Sequence, residues 1–103
     1  DPTNPVMYAF KGEILLALNQ YQEASKAFSH SIQLNYCNIW VYFNRGLANF
    51  HSKQYKEAIT DFSKCISLNP SNPLPYFNRG LSYHHLQKFE QANRDLRTAH
   101  SLD

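Results

Sequence analysis

Residues 38–71 read NIWVYFNRGLANFHSKQYKEAITDFSKCISLNPS, and the fold is decided by finding the same 34-residue unit on either side of them. The chain has three glycines, Gly12, Gly46 and Gly80, each 34 residues after the last. The same step carries Tyr8 to Tyr42 to Tyr76, Tyr21 to Tyr55 to Phe89, and Ala24 to Ala58 to Ala92. It also carries Phe28 to Phe62 to Leu96, Leu34 to Leu68 to Leu102, and Asn4 to Asn38 to Asn72. Self-similarity at such a period marks a repeat architecture, in which each unit buries its apolar face only against its neighbours.

Each unit reads as a pair of helices. The first helices are expected over residues 5–18, 39–52 and 73–86, the second over 22–35, 56–69 and 90–102. Asn4, Asn38 and Asn72 precede the first helices, and an asparagine there caps an orphan backbone N–H. Pro5 and Pro73 follow at the first helical position, where a missing N–H costs nothing. Glu23, Glu57 and Glu90 open the second helices, on the side of the helix dipole that favours negative charge. The links Asn19-Gln20, Lys53-Gln54 and Gln87-Lys88 are short enough to force antiparallel neighbours, and Pro70 stops the second helix of the middle unit. Glycine inside a helix costs about 1 kcal/mol relative to alanine, so three glycines in register predict a close helix crossing. The small Ala24, Ala58 and Ala92 are expected to face them. Tyr8, Tyr42 and Tyr76 are expected to pack near Phe28, Phe62 and Leu96 on the same seam.

These columns resemble the tetratricopeptide repeat. The middle unit supplies Tyr42, Gly46, Tyr55, Ala58, Phe62, Cys65 and Pro70, and the third Tyr76, Gly80, Tyr83, Phe89, Ala92, Leu96 and Ala99. The first supplies Tyr8, Gly12, Tyr21, Ala24 and Phe28, and is the least regular. Ser31 and Cys65 stand where the family prefers alanine, Leu15 and Asn49 replace the aromatic seen at Tyr83, and Tyr36 replaces the proline seen as Pro2 and Pro70. The resemblance implies an all-α protein, a right-handed superhelical solenoid of three hairpins with six antiparallel helices. It implies one domain over residues 1–103, with repeats at about 5–38, 39–72 and 73–103 and residues 1–4 as the tail of a preceding repeat. Asp1-Pro2 and Asp103 fall at the same phase of the period, and no polar capping helix follows, which suggests a segment of a longer array with uncapped ends able to stack.

In that family the first helices line the concave face. Carried over by the period, successive rows of that face are Val6, Trp40 and Leu74; Ala9, Phe43 and Phe77; Phe10, Asn44 and Asn78; Glu13, Leu47 and Leu81; and Leu16, Phe50 and His84, with His51 and His85 beyond. Aromatic anchors in exposed apolar surface are the usual substance of a binding site. The candidate groove residues are therefore Trp40, Phe43, Asn44, Leu47, Phe77, Asn78, Leu81 and Phe10, with Asn44 and Asn78 bonding a peptide backbone through their amides. The competing reading has adjacent repeats burying much of this surface. Chaperone-binding relatives clamp a carboxylate tail with Lys, Asn and Arg at positions occupied here by Ala9, Glu13, Asn44, Leu74 and Asn78. Only Asn44 matches and Glu13 would repel a carboxylate, so no carboxylate-clamp tail is expected.

Composition narrows the rest. Net charge is +2, no run of five like charges occurs, and Lys26, Lys56, Lys64, Lys88, Arg94 and Arg97 on the second helices are diluted by Glu57, Glu90 and Asp95, so neither nucleic acid nor membrane is an expected partner. Cys37 and Cys65 lack metal-ligand spacing, and the one Asn-x-Ser triplet, Asn69-Pro70-Ser71, is blocked by proline. Two isolated cysteines suit a reducing, intracellular compartment, the cytoplasm by preference. His84 and His85 are adjacent and diverge by about 100° on a helix, so they read as rim imidazoles and not a metal site. No phosphate loop or nucleophile motif occurs, so no catalytic residues and no cofactor are expected. Lys11, Arg45 and Arg79 share one column and Ala27, Asp61 and Asp95 another, which predicts Arg45–Asp61 and Arg79–Asp95 pairs inside the units. The functional expectation is a scaffold that docks a peptide or helix of a partner protein. Its alternative is an architectural or self-associating segment with no ligand of its own.

Overall fold

A computed structural model describes residues 4–103 of the chain. The described residues form six helices and no strand: α1 (Pro5–Ala17), α2 (Tyr21–Gln33), α3 (Ile39–His51), α4 (Tyr55–Leu68), α5 (Pro73–His85) and α6 (Phe89–Leu102). They stack as three antiparallel hairpins into an elongated body of 45 × 25 × 19 Å. Residues 1–3, most of the expected preceding tail, lie outside the described residues.

The caps follow the sequence. The side chains of Asn4, Asn38 and Asn72 accept from the backbone N–H of Val6, Trp40 and Leu74 at 2.9, 3.2 and 3.1 Å. The turn inside each hairpin is one geometry used three times, and it has no glycine. Asn19, Lys53 and Gln87 take left-handed φ of 61°, 65° and 61°. The next residue then donates five positions back, Gln20 to Leu15, Gln54 to Asn49 and Lys88 to Tyr83, at 2.8–2.9 Å. This is the Schellman closure, which satisfies the last carbonyls of the first helix. Between units two and three, Asn69 is extended and its side chain accepts from the N–H and hydroxyl of Ser71 at 3.2 and 2.8 Å, which turns the chain at Pro70.

At the glycine column the partner is a ring, not the expected alanine methyl. A Cβ on Gly12 would lie 2.7 Å from Phe28, and one on Gly46 2.7 Å from Phe62. On Gly80 it would lie 3.1 Å from Leu96, with the Ala92 carbonyl at 3.2 Å. Ala24, Ala58 and Ala92 are fully buried, but the bulk in the notch is the side chain one turn further along the second helix. On the tyrosine column, Tyr8 stacks on His30 at 3.9 Å, and Tyr42 lies under Arg45 and Lys64, each at 5.8 Å.

Both expected ion pairs form, and they reach further than one unit. Arg45 binds Asp61 with Nε at 3.1 and 3.0 Å and Nη2 at 2.6 Å, while its Nη1 donates to Ser29 on α2 of the preceding unit at 3.1 Å. Arg79 repeats this with Asp95 at 2.7 and 2.8 Å and with Ser63 at 3.0 Å. Asn49 donates to Asp61 at 3.2 Å and accepts from Ser25 at 2.8 Å, closing a polar chain across the first junction. Burial pushes the Asp61 carboxyl upward, opposed by the hydrogen bonds and charge of Arg45 and by the Asn49 amide. The hydrogen bond to Asp95 holds the Arg79 guanidinium above its ordinary value. Each arginine thus ties three helices together, and no side-chain polar atom buried among the described residues lacks a partner.

Candidate functional site: the inner helical face

Helix spacing defines which face is concave. The first helices of neighbouring units touch, α1 with α3 and α3 with α5, whereas α2 does not reach α4 and α4 does not reach α6. The row therefore bends towards its first helices, which carry the sequence-derived groove residues.

Those residues divide into two recesses and a rim. Trp40 and Phe43 line a recess of about 230 Å³ with Cys65 of α4, with Asn69 just after it, and with Asn72, Leu74 and Pro75 at the start of α5. Trp40 is half-buried, with Phe10 at 6.5 Å and Tyr36 at 6.2 Å. Phe43 is half-buried because its ring lies 5.7 Å from that of Phe62 in the core. Phe77 instead joins Leu74, Leu96 and Ala99 around a second recess, at the far end of the stack. Leu47, Leu81, Asn44 and Asn78 are half-buried on α3 and α5. The most open apolar side chains here are Phe10 at 50%, Leu74 at 54% and Phe77 at 46% exposure.

Two expectations for this face change. Ala9 is fully buried in the core with Phe28 and Val41 and does not line a groove. Asn78 spends an amide hydrogen on the Leu74 carbonyl of its own helix at 3.0 Å, so it has less to offer a ligand than Asn44. Of the eight candidates, Trp40 and Phe43 line one recess and Phe77 the other. The sequence reading overlooked the contribution of Cys65 from a second helix and of Asn69 just after it. The available signal was their place at the end of that helix, beside the start of the next unit.

The histidines build an aromatic edge. His51 stacks on Tyr21 at 4.8 Å and His85 on Tyr55 at 4.5 Å, with Phe50 edge-on to both imidazoles at 5.5 and 5.4 Å. Each stack joins the first residue of a second helix to the last residue of the next unit's first helix, so the imidazoles help set the angle between units. Among the described residues no cluster of three His, Cys, Asp or Glu has the geometry to hold a metal ion. The Cys65 thiol donates towards the Ile39 carbonyl at 3.6 Å, and burial pushes its pKa up to about 12, which keeps it neutral and unreactive. Cys37 is exposed. No helix of the described residues is long and apolar enough to cross a membrane.

Three profiles of the tetratricopeptide repeat match the chain, over residues 6–36, 39–72 and 62–94. No curated protein matches it in sequence. Among solved structures, the first TPR of Spaghetti (RPAP3) bound to the HSP90 peptide SRMEEVD is 26% identical with a TM-score of 0.88, and the match covers 100% of this chain and 82% of that one. The Arabidopsis OM64 TPR domain is 25% identical with a TM-score of 0.88, covering 96% of this chain and 82% of that one. MamA from Desulfovibrio magneticus RS-1 superposes with a TM-score of 0.93 at 24% identity and covers 98% of this chain, which spans 57% of that one. At that identity the likeness to MamA speaks to the fold alone.

Proposed function

Since this chain belongs to the tetratricopeptide-repeat family, we propose that it is a protein-interaction module whose inner face docks an apolar, uncharged segment of a partner protein. The observation that carries this reading is the open apolar surface of Phe10, Leu74 and Phe77 beside the recess of Trp40 and Phe43, on the face towards which the stack bends. Apolar side chains of the partner enter beside Trp40 and Phe43 and against Phe77. Leu47 and Leu81 extend the surface, and Asn44 bonds the partner's backbone.

The charges on this face argue for the chemistry of the ligand. A structural neighbour is bound to the acidic peptide SRMEEVD, but an acidic peptide needs cations here. Lys11 is solitary, and Arg45 and Arg79 are engaged by Asp61 and Asp95. Of the rows assigned to the face, Glu13 alone is formally charged, and it repels carboxylates. The ligand is therefore apolar, and its affinity should change little between low and high salt.

Peptide-library selection on the intact chain tests this. Selected sequences should be apolar and uncharged, and should lose binding to a Phe10→Ala, Phe77→Ala variant. Both rings are about half exposed, so that variant should stay folded with a modest fall in melting temperature, which circular dichroism checks. Enrichment of acidic sequences, tight binding of SRMEEVD, or selection indifferent to the variant would exclude the reading.

A further inference from the structure

The recess between units two and three is one-sided in its hydrogen bonding. Most of its lining is apolar, from Ile39, Trp40, Phe43, Leu74 and Pro75, and no charged residue takes part. Its polar side-chain groups are the amides of Asn69 and Asn72, the Cys65 thiol and the indole N–H of Trp40.

The turn before α5 settles which end of each amide is free. The oxygen of Asn69 accepts from the N–H and the hydroxyl of Ser71 at 3.2 and 2.8 Å. The oxygen of Asn72 caps α5 by accepting from the N–H of Leu74 at 3.1 Å. Among the described residues no hydrogen bond engages the NH₂ group of either asparagine, or the Trp40 indole N–H. The Cys65 thiol is already turned to the Ile39 carbonyl at 3.6 Å. The side chains of the recess thus have donors to offer, while both amide oxygens are engaged.

That pattern discriminates between the ways a polypeptide could lie here. A helix uses its carbonyls for its own N–H groups and leaves these donors unmet. A strand brings an N–H with every carbonyl, and each buried N–H requires an acceptor of its own. A polyproline II segment has no internal hydrogen bonds, so its carbonyls are free, and every proline in it removes an N–H. Its rings are apolar and suit a surface lined by aromatic side chains. Such a surface surrounds the recess. Phe43 stands in the wall, and Trp40 has Phe10 at 6.5 Å with ring planes 28° apart and Tyr36 edge-on at 6.2 Å.

We infer that this recess binds a proline-rich segment of a partner protein in the polyproline II conformation. Its proline rings lie against Trp40 and Phe43, and its carbonyls accept from the amides of Asn69 and Asn72. The inference rests on the inner-face docking proposed above and names the class of ligand.

Trp40 is the only tryptophan of the chain, so its emission reports on the recess directly. The test is fluorescence titration of the intact chain with three capped peptides of equal length. One is a proline–leucine repeat, the second has alanine for each proline, and the third is that alanine peptide crosslinked into a helix. The proline peptide should bind about tenfold more tightly than either alanine peptide, because its conformation is preformed and it brings few N–H groups to bury. The variant Asn69→Asp, Asn72→Asp keeps the side-chain oxygens that serve the turn and the cap, and loses the donors. It should keep its melting temperature and bind the proline peptide about tenfold more weakly. Equal or tighter binding of an alanine peptide, or unchanged affinity in the Asp variant, would overturn the inference and leave inner-face docking standing. Absence of binding by all three peptides would also overturn it, and the peptide-library selection then decides separately whether the inner face docks any segment.

Discussion

Replacing Gly46 by alanine sets two opposed terms against each other. Alanine in a helix interior gains about 1 kcal/mol over glycine. The new Cβ, however, falls 2.7 Å from the Phe62 ring, whose side chain is fully buried and has the Phe43 ring 5.7 Å away. The ring cannot swing clear, and overpacking of this kind costs about 1–3 kcal/mol. Gly46→Ala should therefore lose about 0–2 kcal/mol net, a fall of up to about 15 °C in melting temperature for a domain of this size. Gly80→Ala meets the flexible end of Leu96 at 3.1 Å, so its two terms nearly cancel. Urea denaturation of both variants and of Gly46→Ala with Phe62→Leu gives the answer. The double variant sets alanine against leucine, as Gly80→Ala does in the third unit, and should cost at least about 1 kcal/mol less than the sum of its parts. A Gly46→Ala protein more stable than the native one, or a Gly80→Ala protein equally damaged, would refute the claim that the column exists to admit a ring. Displacement of Phe62 also pushes Phe43 into the recess it lines, so Gly46→Ala should weaken groove binding beyond its effect on stability.

The left-handed turn residues should respond in the opposite direction: Lys53→Gly relieves roughly 1 kcal/mol of backbone strain at φ 65°, read as a higher urea midpoint with an unchanged slope. Asp61→Ala leaves the Arg45 guanidinium and the Asn49 amide without their acceptor, and should cost about 1–3 kcal/mol, reduced from the fully buried case because Arg45 is 22% exposed. The paired variant Arg45→Met, Asp61→Leu should recover part of that loss, and additivity of the single variants would deny the coupling. Native protein treated with a thiol reagent near neutral pH should be modified once, at the exposed Cys37, with Cys65 reacting only on unfolding, because burial holds its pKa near 12. Peptide mass mapping of the labelled chain checks this, and equal labelling of both cysteines would contradict the packing around α4.

Periodicity made the helices, their caps and the two ion pairs legible, because each depends on residues that recur at a fixed step and contact near neighbours. Asn38 before an apolar run and Arg45 in step with Asp61 are local or nearly local statements. What escaped were features set by the rotation between units. That Arg45 reaches Ser29, that Asn49 accepts from Ser25, and that Ala9 packs into a core shared with Val41 and Ala48 all depend on how the second unit is set against the first. The notch at Gly46 was foreseen as a close approach, but its occupant was misassigned, because Phe62 and Ala58 lie one turn apart on the same face of α4 and sequence spacing does not choose between them. The glycine-free turns at Asn19, Lys53 and Gln87 left no compositional trace, since the left-handed conformation there is imposed by the packing of the helices on either side.

The departures from the repeat carry as much information as the repeat. Where all three units agree, at the glycine column and the capping asparagines, the residues build the hairpin. Where the two internal junctions agree and the outer units differ, the residues govern which units may meet. Arg45 and Arg79 seek a serine on the preceding unit, but Lys11 stands in their column and Arg97 in that of the serines. The tenth residue of the first helix is small at both junctions, as Ala48 and Ser82, but in α1 it is Ile14, which is 61% exposed. A stack of identical units would polymerise through its ends, since each end would be the complement of the other. Here the columns that join unit two to unit one and unit three to unit two change where Lys11, Ile14 and Arg97 stand, so one set of positions fixes the order of the three units.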